Sequence, residues 1–219
     1  MSARQLTLDL PVRSAKGRED FLVAPCNEAA VKWIDAWPEW PGRVLVLVGP
    51  AGSGKSHLGN VWRTLAGAAE MEEVSDERTA AALEAGIPVL LDINSRVEDE
   101  EALLHLINWA RERKAGLLIT ATEPPAKWRI TLPDLRSRLQ AAPIAALGPP
   151  DDDILGALLI KQFADRQLRV PTDVVEFVLA RMERSYATVR RLVEELDRAA
   201  LSEKRAITVP LARQVLQKL

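Results

Sequence analysis

A single cysteine, Cys26, excludes an internal disulfide framework, and with only two histidines no cluster of Cys and His has the spacing of a metal site. So few thiols fit a reducing compartment, and a cytoplasmic location is expected. Nowhere does the chain approach the roughly 20 consecutive apolar residues that cross a bilayer, and its N-terminus lacks an apolar run behind a basic start. A soluble, unexported protein with no membrane partner is expected. Excess charge is also lacking: 29 basic and 31 acidic residues leave a formal net charge of -2. Bulk electrostatics therefore gives no reason for a nucleic-acid coat, while a local basic patch stays open. What is present is apolar: a 47% hydrophobic composition over 219 residues is enough for one ample core or two unequal domains.

Residues 1–20 combine a short alternating segment, Gln5 to Leu10, with a charged stretch that offers little to bury, as in a tail carrying a small motif. Between Phe21 and Trp40, Ala29, Ala30, Trp33, Ile34 and Trp37 recur at helical spacing until Pro38, Pro41 and Gly42 break the pattern. Arg43–Val48 is a continuous branched-aliphatic run, the pattern of a strand buried on both faces of a parallel sheet. Ile87–Leu91, ending at Asp92, and Gly116–Thr120 are two more. Between them Leu103, Leu104, Leu106, Ile107 and Ala110 lie on one helical face. Strand, helix and strand in alternation predict an α/β sheet sandwiched by helices with right-handed crossovers.

After Pro149 and Pro150 the strand signals stop, and helices are expected over 151–167, 172–184, 187–202 and 208–218. The clearest carries Val189, Leu192, Val193, Leu196, Ala199 and Ala200 on one face. The expected organisation is a tail (1–20), an α/β domain (21–149) and a small all-α domain (150–219).

Residues Gly49, Pro50, Ala51, Gly52, Ser53, Gly54, Lys55 and Ser56 match G-x-x-x-x-G-K-[ST] between a predicted strand and a predicted helix. Glycines permit the backbone angles that turn successive N–H groups toward phosphate oxygens. Lys55 would neutralise the β- and γ-phosphates, Ser56 would ligate Mg²⁺, and the following helix would point its positive end at the anion. A nucleotide site of this kind needs an acid at the end of another parallel strand to organise the metal. Asp92 is either that acid or a helix or turn cap. The next residues are Ile93 and Asn94, where hydrolytic AAA+ proteins usually place a water-orienting Glu, so weak intrinsic hydrolysis is expected unless Asn94 or Glu98 substitutes.

With Gly49–Ser56, Asp92, the strand end Ile119–Pro125, the segment Leu132–Leu139 and the closing stretch Leu192–Leu216, the chain from about Phe21 to Leu219 resembles the DnaA/Hda family of AAA+ proteins. The resemblance implies a P-loop AAA+ sheet domain followed by a helical lid, without the initiator's DNA-binding domain. It implies bound ADP or ATP with Mg²⁺, and nucleotide contacts from Val23, from Pro50 through Ser56 with the adjacent His57, from Thr122 at the sensor 1 position and from Arg190 at the sensor 2 position. Initiators usually have Asp where Thr122 stands, and Arg191 takes the lid role if the register slips by one.

Arg138 falls at the arginine-finger position, where a guanidinium reaches nucleotide held by a neighbouring subunit; on the residues alone a surface salt-bridge arginine is the better reading. Gln5, Leu6, Leu8 and Leu10 are similar to the motif by which this family binds the DNA polymerase III β sliding clamp, an extended peptide placing apolar anchors in a groove. The other reading of that segment is a tail strand packed on its own domain.

Partners implied by the resemblance are DnaA and the DNA-loaded clamp, with self-association open. The stretch from Asn60 to Gly86 is acidic, with Glu70, Glu72, Glu73, Asp76 and Glu77, which disfavours direct DNA binding. His57 and His105 have no acid or thiol partner in view, and the tryptophans, Trp33, Trp37, Trp40 and Trp62 among them, suit core or interface packing better than base stacking. The leading expectation is a regulator that promotes hydrolysis of ATP on DnaA. An autonomous AAA+ ATPase, such as a loader or remodelling subunit, is the alternative. A small-molecule kinase would need an acceptor pocket and mobile arginines over the phosphates.

Overall fold

The computed structural model describes residues 22–71, 74, 77–93, 97–203 and 205–219, without the side chain of residue 203; Gln5, Leu6, Leu8, Leu10 and Asn94 lie outside the described residues. Two compact units divide them: residues 25–150 together with 185–187, and residues 22–24, 151–184 and 188–219.

The first unit opens with α1 (Glu28–Asp35), which buries Ala30, Val31 and Ile34, and then turns into β1 (Val44–Val48). Helix α2 (Lys55–Ala66) ends at Gly67, whose φ of 64° provides the left-handed C-terminal cap. After it come β2 (Ala69–Met71), α3 (Glu77–Glu84), β3 (Val89–Asp92), α4 (Glu100–Glu112), β4 (Leu117–Ala121), α5 (Pro133–Ala141) and β5 (Ile144–Ala146). The strands form one five-stranded sheet in the order β2-β3-β4-β1-β5, and every pair is parallel. Strands β1 and β4 are buried at every position. Their unbroken apolar runs follow from that two-sided burial.

The observed architecture is the α/β sandwich expected from the sequence. Strand β2 has three residues, too few for a period, and α3 buries only Thr79 and Leu83. Edge strand β5 buries Ala145 alone.

Three tryptophans fill the space between α1, α2 and the start of β4. Trp40 stacks on Trp62 with centroids 5.2 Å apart, and Trp37 meets both edge-on at 4.9 and 5.4 Å. Trp40 donates from Nε1 to the Trp33 carbonyl at 2.6 Å. Packing, the role expected for these rings, is what they perform. Gly116 lies under the cluster, and a Cβ there would sit 2.4 Å from Trp37 Cη2 and 3.0 Å from Trp62 Cζ2. Gly116→Ala is therefore expected to lower unfolding free energy by about 1–3 kcal/mol through overpacking, read as a shifted urea midpoint.

The second unit holds α6 (Asp152–Asp165), α7 (Thr172–Leu179), α8 (Tyr186–Glu203) from Thr188 onward and α9 (Val209–Leu216). Asp151 caps α6 by accepting from the Ile154 N–H at 2.9 Å. Val189, Leu192, Val193 and Leu196 of α8 are buried, the face that the periodicity predicts. Helix α7 stops at Leu179, short of the expected residue 184, with no proline or glycine to end it. Beyond the turn the Arg184 guanidinium donates to both Asp152 oxygens, at 2.8 and 3.0 Å, a tertiary contact that the helical pattern does not encode. Among the described residues no helix is long and apolar enough to cross a membrane.

Candidate functional site

Strand β1 delivers the chain to the glycine loop at the C-terminal edge of the sheet. Gly52 and Gly54 adopt φ of 72° and 92°, values that residues with a Cβ rarely take. Gly49 is required for a different reason: a Cβ there would lie 2.5 Å from Ser53 Oγ and 2.9 Å from the Leu147 carbonyl. The Gly49 N–H donates to the Ala121 carbonyl at 3.2 Å, which ties the loop to the end of β4. Helix α2 begins at Lys55 with Gly54 as its N-cap, so its first turn faces the loop.

Lys55 Nζ donates to the carbonyls of Gly49 at 2.6 Å and Pro50 at 2.9 Å. Burial pushes its pKa below the ordinary lysine value, and the nearby Asp92 charge partly opposes that shift. Ser56 and His57 are exposed on the first turn of α2, and Pro50 and Ala51 are exposed on the loop. The Ser53 hydroxyl is buried and has no hydrogen-bond partner among the described residues. A phosphate fits this cradle. It would meet backbone N–H groups, a lysine held only by main-chain carbonyls and a helix N-terminus.

Asp92 ends β3 with its carboxylate exposed, and its Oδ1 accepts from Thr120 Oγ1 at 2.7 Å. The two residues are in register across β3 and β4, and the Ile93 N–H donates to the Thr120 carbonyl at 2.8 Å. Thr120, 4% exposed, thus orients the acid, a role that the sequence argument did not assign. Thr122 lies two residues on, exposed just beyond the strand. No group of three or more His, Cys, Asp or Glu side chains is placed to hold a metal among the described residues. A Mg²⁺ held chiefly by phosphates, with Ser56 and Asp92 as its protein contacts, needs no such cluster. Replacing Thr120 by valine removes one hydrogen bond to a carboxylate, worth about 1.5 kcal/mol, so Mg²⁺-dependent nucleotide affinity should fall about tenfold. Affinity measured in EDTA should not change.

Residues 185–187 belong to this unit and pack on the loop. The Tyr186 N–H donates to the Gly52 carbonyl at 3.0 Å. A Cβ on Gly52 would lie 2.9 Å from Ser185 Cβ, and one on Gly54 would lie 3.5 Å from Tyr186 Cε2. This contact spans more than 130 positions of sequence and leaves no local signal.

Arg138 is exposed in the last turn of α5, whose buried face is Leu135 and Leu139. It makes no hydrogen bond or ion pair with any described residue, so the salt-bridge alternative has no partner among them. Its neighbour Arg136 is committed, donating to the Ile130 carbonyl. Glu98 is exposed. Val23, half-buried, and Arg190 and Arg191, exposed near the start of α8, fall in the other unit.

Residues 151–216 match a family model described as Hda, lid domain. Among solved structures, domain III of the Thermotoga maritima replication initiation protein DnaA is similar with a TM-score of 0.75 at 18% identity, over 95% of this chain and 98% of that one. AMPPCP-bound DnaA from Aquifex aeolicus gives 0.66 at 14%, over 82% of this chain and 64% of that one. The Thermotoga maritima RuvB Holliday junction branch migration motor gives 0.68 at 17%, over 88% and 69%. At these identities the likeness establishes a shared fold and no more.

Proposed function

We propose, on the match of residues 151–216 to the Hda lid-domain model, that the chain is a nucleotide-binding regulator of chromosomal replication initiation that acts on DnaA. Together with the DNA-loaded β sliding clamp, it stimulates hydrolysis of the ATP that DnaA holds and so inactivates the initiator. The observation that carries this reading is Arg138, a guanidinium displayed on α5 with no partner among the described residues. Such a group is suited to stabilising charge on a nucleotide bound by another subunit.

The chain's own nucleotide is ADP or ATP, with Lys55 and the loop amides on the phosphates and Ser56 and Asp92 toward Mg²⁺. AMPPCP bound to the similar Aquifex aeolicus DnaA supports an adenine nucleotide. Thr122, on the same unit, is a further contact. Ile93 follows Asp92 where a water-orienting acid would stand, which supports weak hydrolysis in cis and catalysis in trans. The nucleotide then acts as a conformational ligand. Gln5, Leu6, Leu8 and Leu10 provide the clamp tether, and the setting is the cytoplasm, where DnaA works on DNA.

The competing reading, an autonomous AAA+ ATPase, draws on the likeness to the RuvB motor and requires Glu98 or Asn94 to orient water. The test is ATP hydrolysis on cognate DnaA with and without loaded clamp, comparing wild type with a variant carrying alanine at positions 5 and 6. Clamp-dependent stimulation that the variant loses is the expected result. Equal stimulation by both proteins removes the tether from the account, and turnover by this chain alone favours the autonomous ATPase.

A further inference from the structure

Helix α5 begins without a cap of its own. Its N-cap is Leu132, which has no side-chain acceptor, and Pro133 occupies the first turn. The backbone leading into it is held by another helix instead. Glu100, the first residue of α4, accepts from the Thr131 N–H at 2.8 Å on Oε1 and 3.0 Å on Oε2, from Thr131 Oγ1 at 3.0 Å and from the Leu132 N–H at 2.6 Å. These bonds reach across more than 30 positions of sequence.

Backbone N–H bonds from Thr131 and Leu132 hold the Glu100 carboxyl below the usual carboxylate range, with the Arg136 charge adding to them. It is therefore ionised at neutral pH, the form that accepts every one of these bonds. A carboxylate at this place also complements the positive end of α5. Asp99 fixes the start of α4 itself by accepting from the Ala102 N–H at 2.8 Å.

Arg138 stands one and a half turns further along α5. Its side chain makes no hydrogen bond or ion pair with a described residue, so the bearing of α5 fixes where its Cβ stands and thereby the region its guanidinium can reach. That bearing rests on two buried leucines, on Arg136 at Ile130 and on the Glu100 clamp. The leucines resist withdrawal of the helix from the core. The clamp, at the helix end, resists its swing.

We infer that Glu100 is a positioning residue for Arg138, fixing the N-terminus of α5 so that the base of the Arg138 side chain is held where its guanidinium can reach a nucleotide on a partner subunit. The inference rests on the reading of Arg138 as an arginine finger acting in trans. Its consequence is a division of labour: Glu100 affects the rate reached once the partner is engaged, and leaves engagement and the chain's own nucleotide site alone.

The experiment compares full-length wild type, Glu100→Gln, Glu100→Ala, Arg138→Ala and the Glu100→Ala/Arg138→Ala double variant. Amide exchange over residues 131–141 is measured on each protein alone, and stimulated ATP hydrolysis is measured on DnaA with loaded clamp. Faster exchange in both Glu100 variants is expected, with ADP affinity within about twofold of wild type. A misplacement near 1 Å is enough to cost about a hundredfold in a positioned reaction, so the maximal stimulated rate should drop by at least about tenfold in Glu100→Ala and less in Glu100→Gln. The half-saturating concentration should stay unchanged, and the double variant should be no slower than Arg138→Ala alone.

Unchanged exchange at 131–141 overturns the inference, because the clamp then holds nothing. Faster exchange with full stimulation also overturns it, because the finger then needs no such support. If wild type itself stimulates nothing, the trans-acting role of Arg138 fails and the positioning role fails with it. The exchange data then report separately on the Glu100 clamp.

Discussion

Replacing Arg138 by alanine is expected to return ATP hydrolysis on DnaA to its unstimulated rate. An arginine supplied to a nucleotide from a neighbouring subunit contributes about 10³ to 10⁵ in rate in other NTPases, so even the lower bound is a loss that steady-state assays resolve easily. Little else should change. The side chain is exposed and makes no bond with a described residue, and α5 is held by Leu135, Leu139, Arg136 and Glu100. Thermal unfolding should stay within the small range of ordinary surface substitutions, about 0.5 kcal/mol, and ADP affinity should be that of wild type. Arg136→Ala makes the informative contrast. It removes a bond to the Ile130 carbonyl, so a stability loss should accompany any loss of stimulation.

Lys55→Ala is expected to have the second largest effect, on the chain's own nucleotide. The amine rests on two main-chain carbonyls of the loop and carries a pKa lowered by burial. A phosphate offers it a charged partner in their place. Charge-assisted hydrogen bonds contribute about 1.5–3 kcal/mol, so ADP and ATP affinity should fall by at least about tenfold and by up to about a hundredfold, as calorimetric titration can measure. Fold stability without nucleotide should change little, because Gly49 and Gly52 set the loop's shape by close approach and positive φ. If stimulation of DnaA also falls in this variant but recovers at high ADP, the nucleotide acts by setting conformation. Arg138 alone then carries the chemistry.

The elements legible in the sequence are those whose burial is one-sided or total. The runs Arg43–Val48 and Gly116–Thr120 read as buried strands because both faces of β1 and β4 are covered, and Val189 to Leu196 read as a helix because one face is. The glycine loop was legible because its residues answer to local demands: positive φ at Gly52 and Gly54, and no room for a Cβ at Gly49. Strands β2 and β5 were not, since three residues establish no period and an edge strand tolerates polar neighbours.

The same division runs through the site. Thr120 on Asp92 could have been found by aligning the two apolar runs in parallel register, because the pair are directly opposed. Residues 185–187 on the glycine loop and Glu100 at the head of α5 could not. Each depends on where the chain returns in space, and nothing near either residue in sequence announces the contact.

The central claim is catalysis in trans, and single-turnover hydrolysis of labelled ATP preloaded on DnaA tests it most directly, with this protein, ADP and loaded clamp added. Acceleration by wild type and none by Arg138→Ala is the predicted result. No acceleration by wild type, together with steady turnover of ATP by this protein alone, would contradict the account.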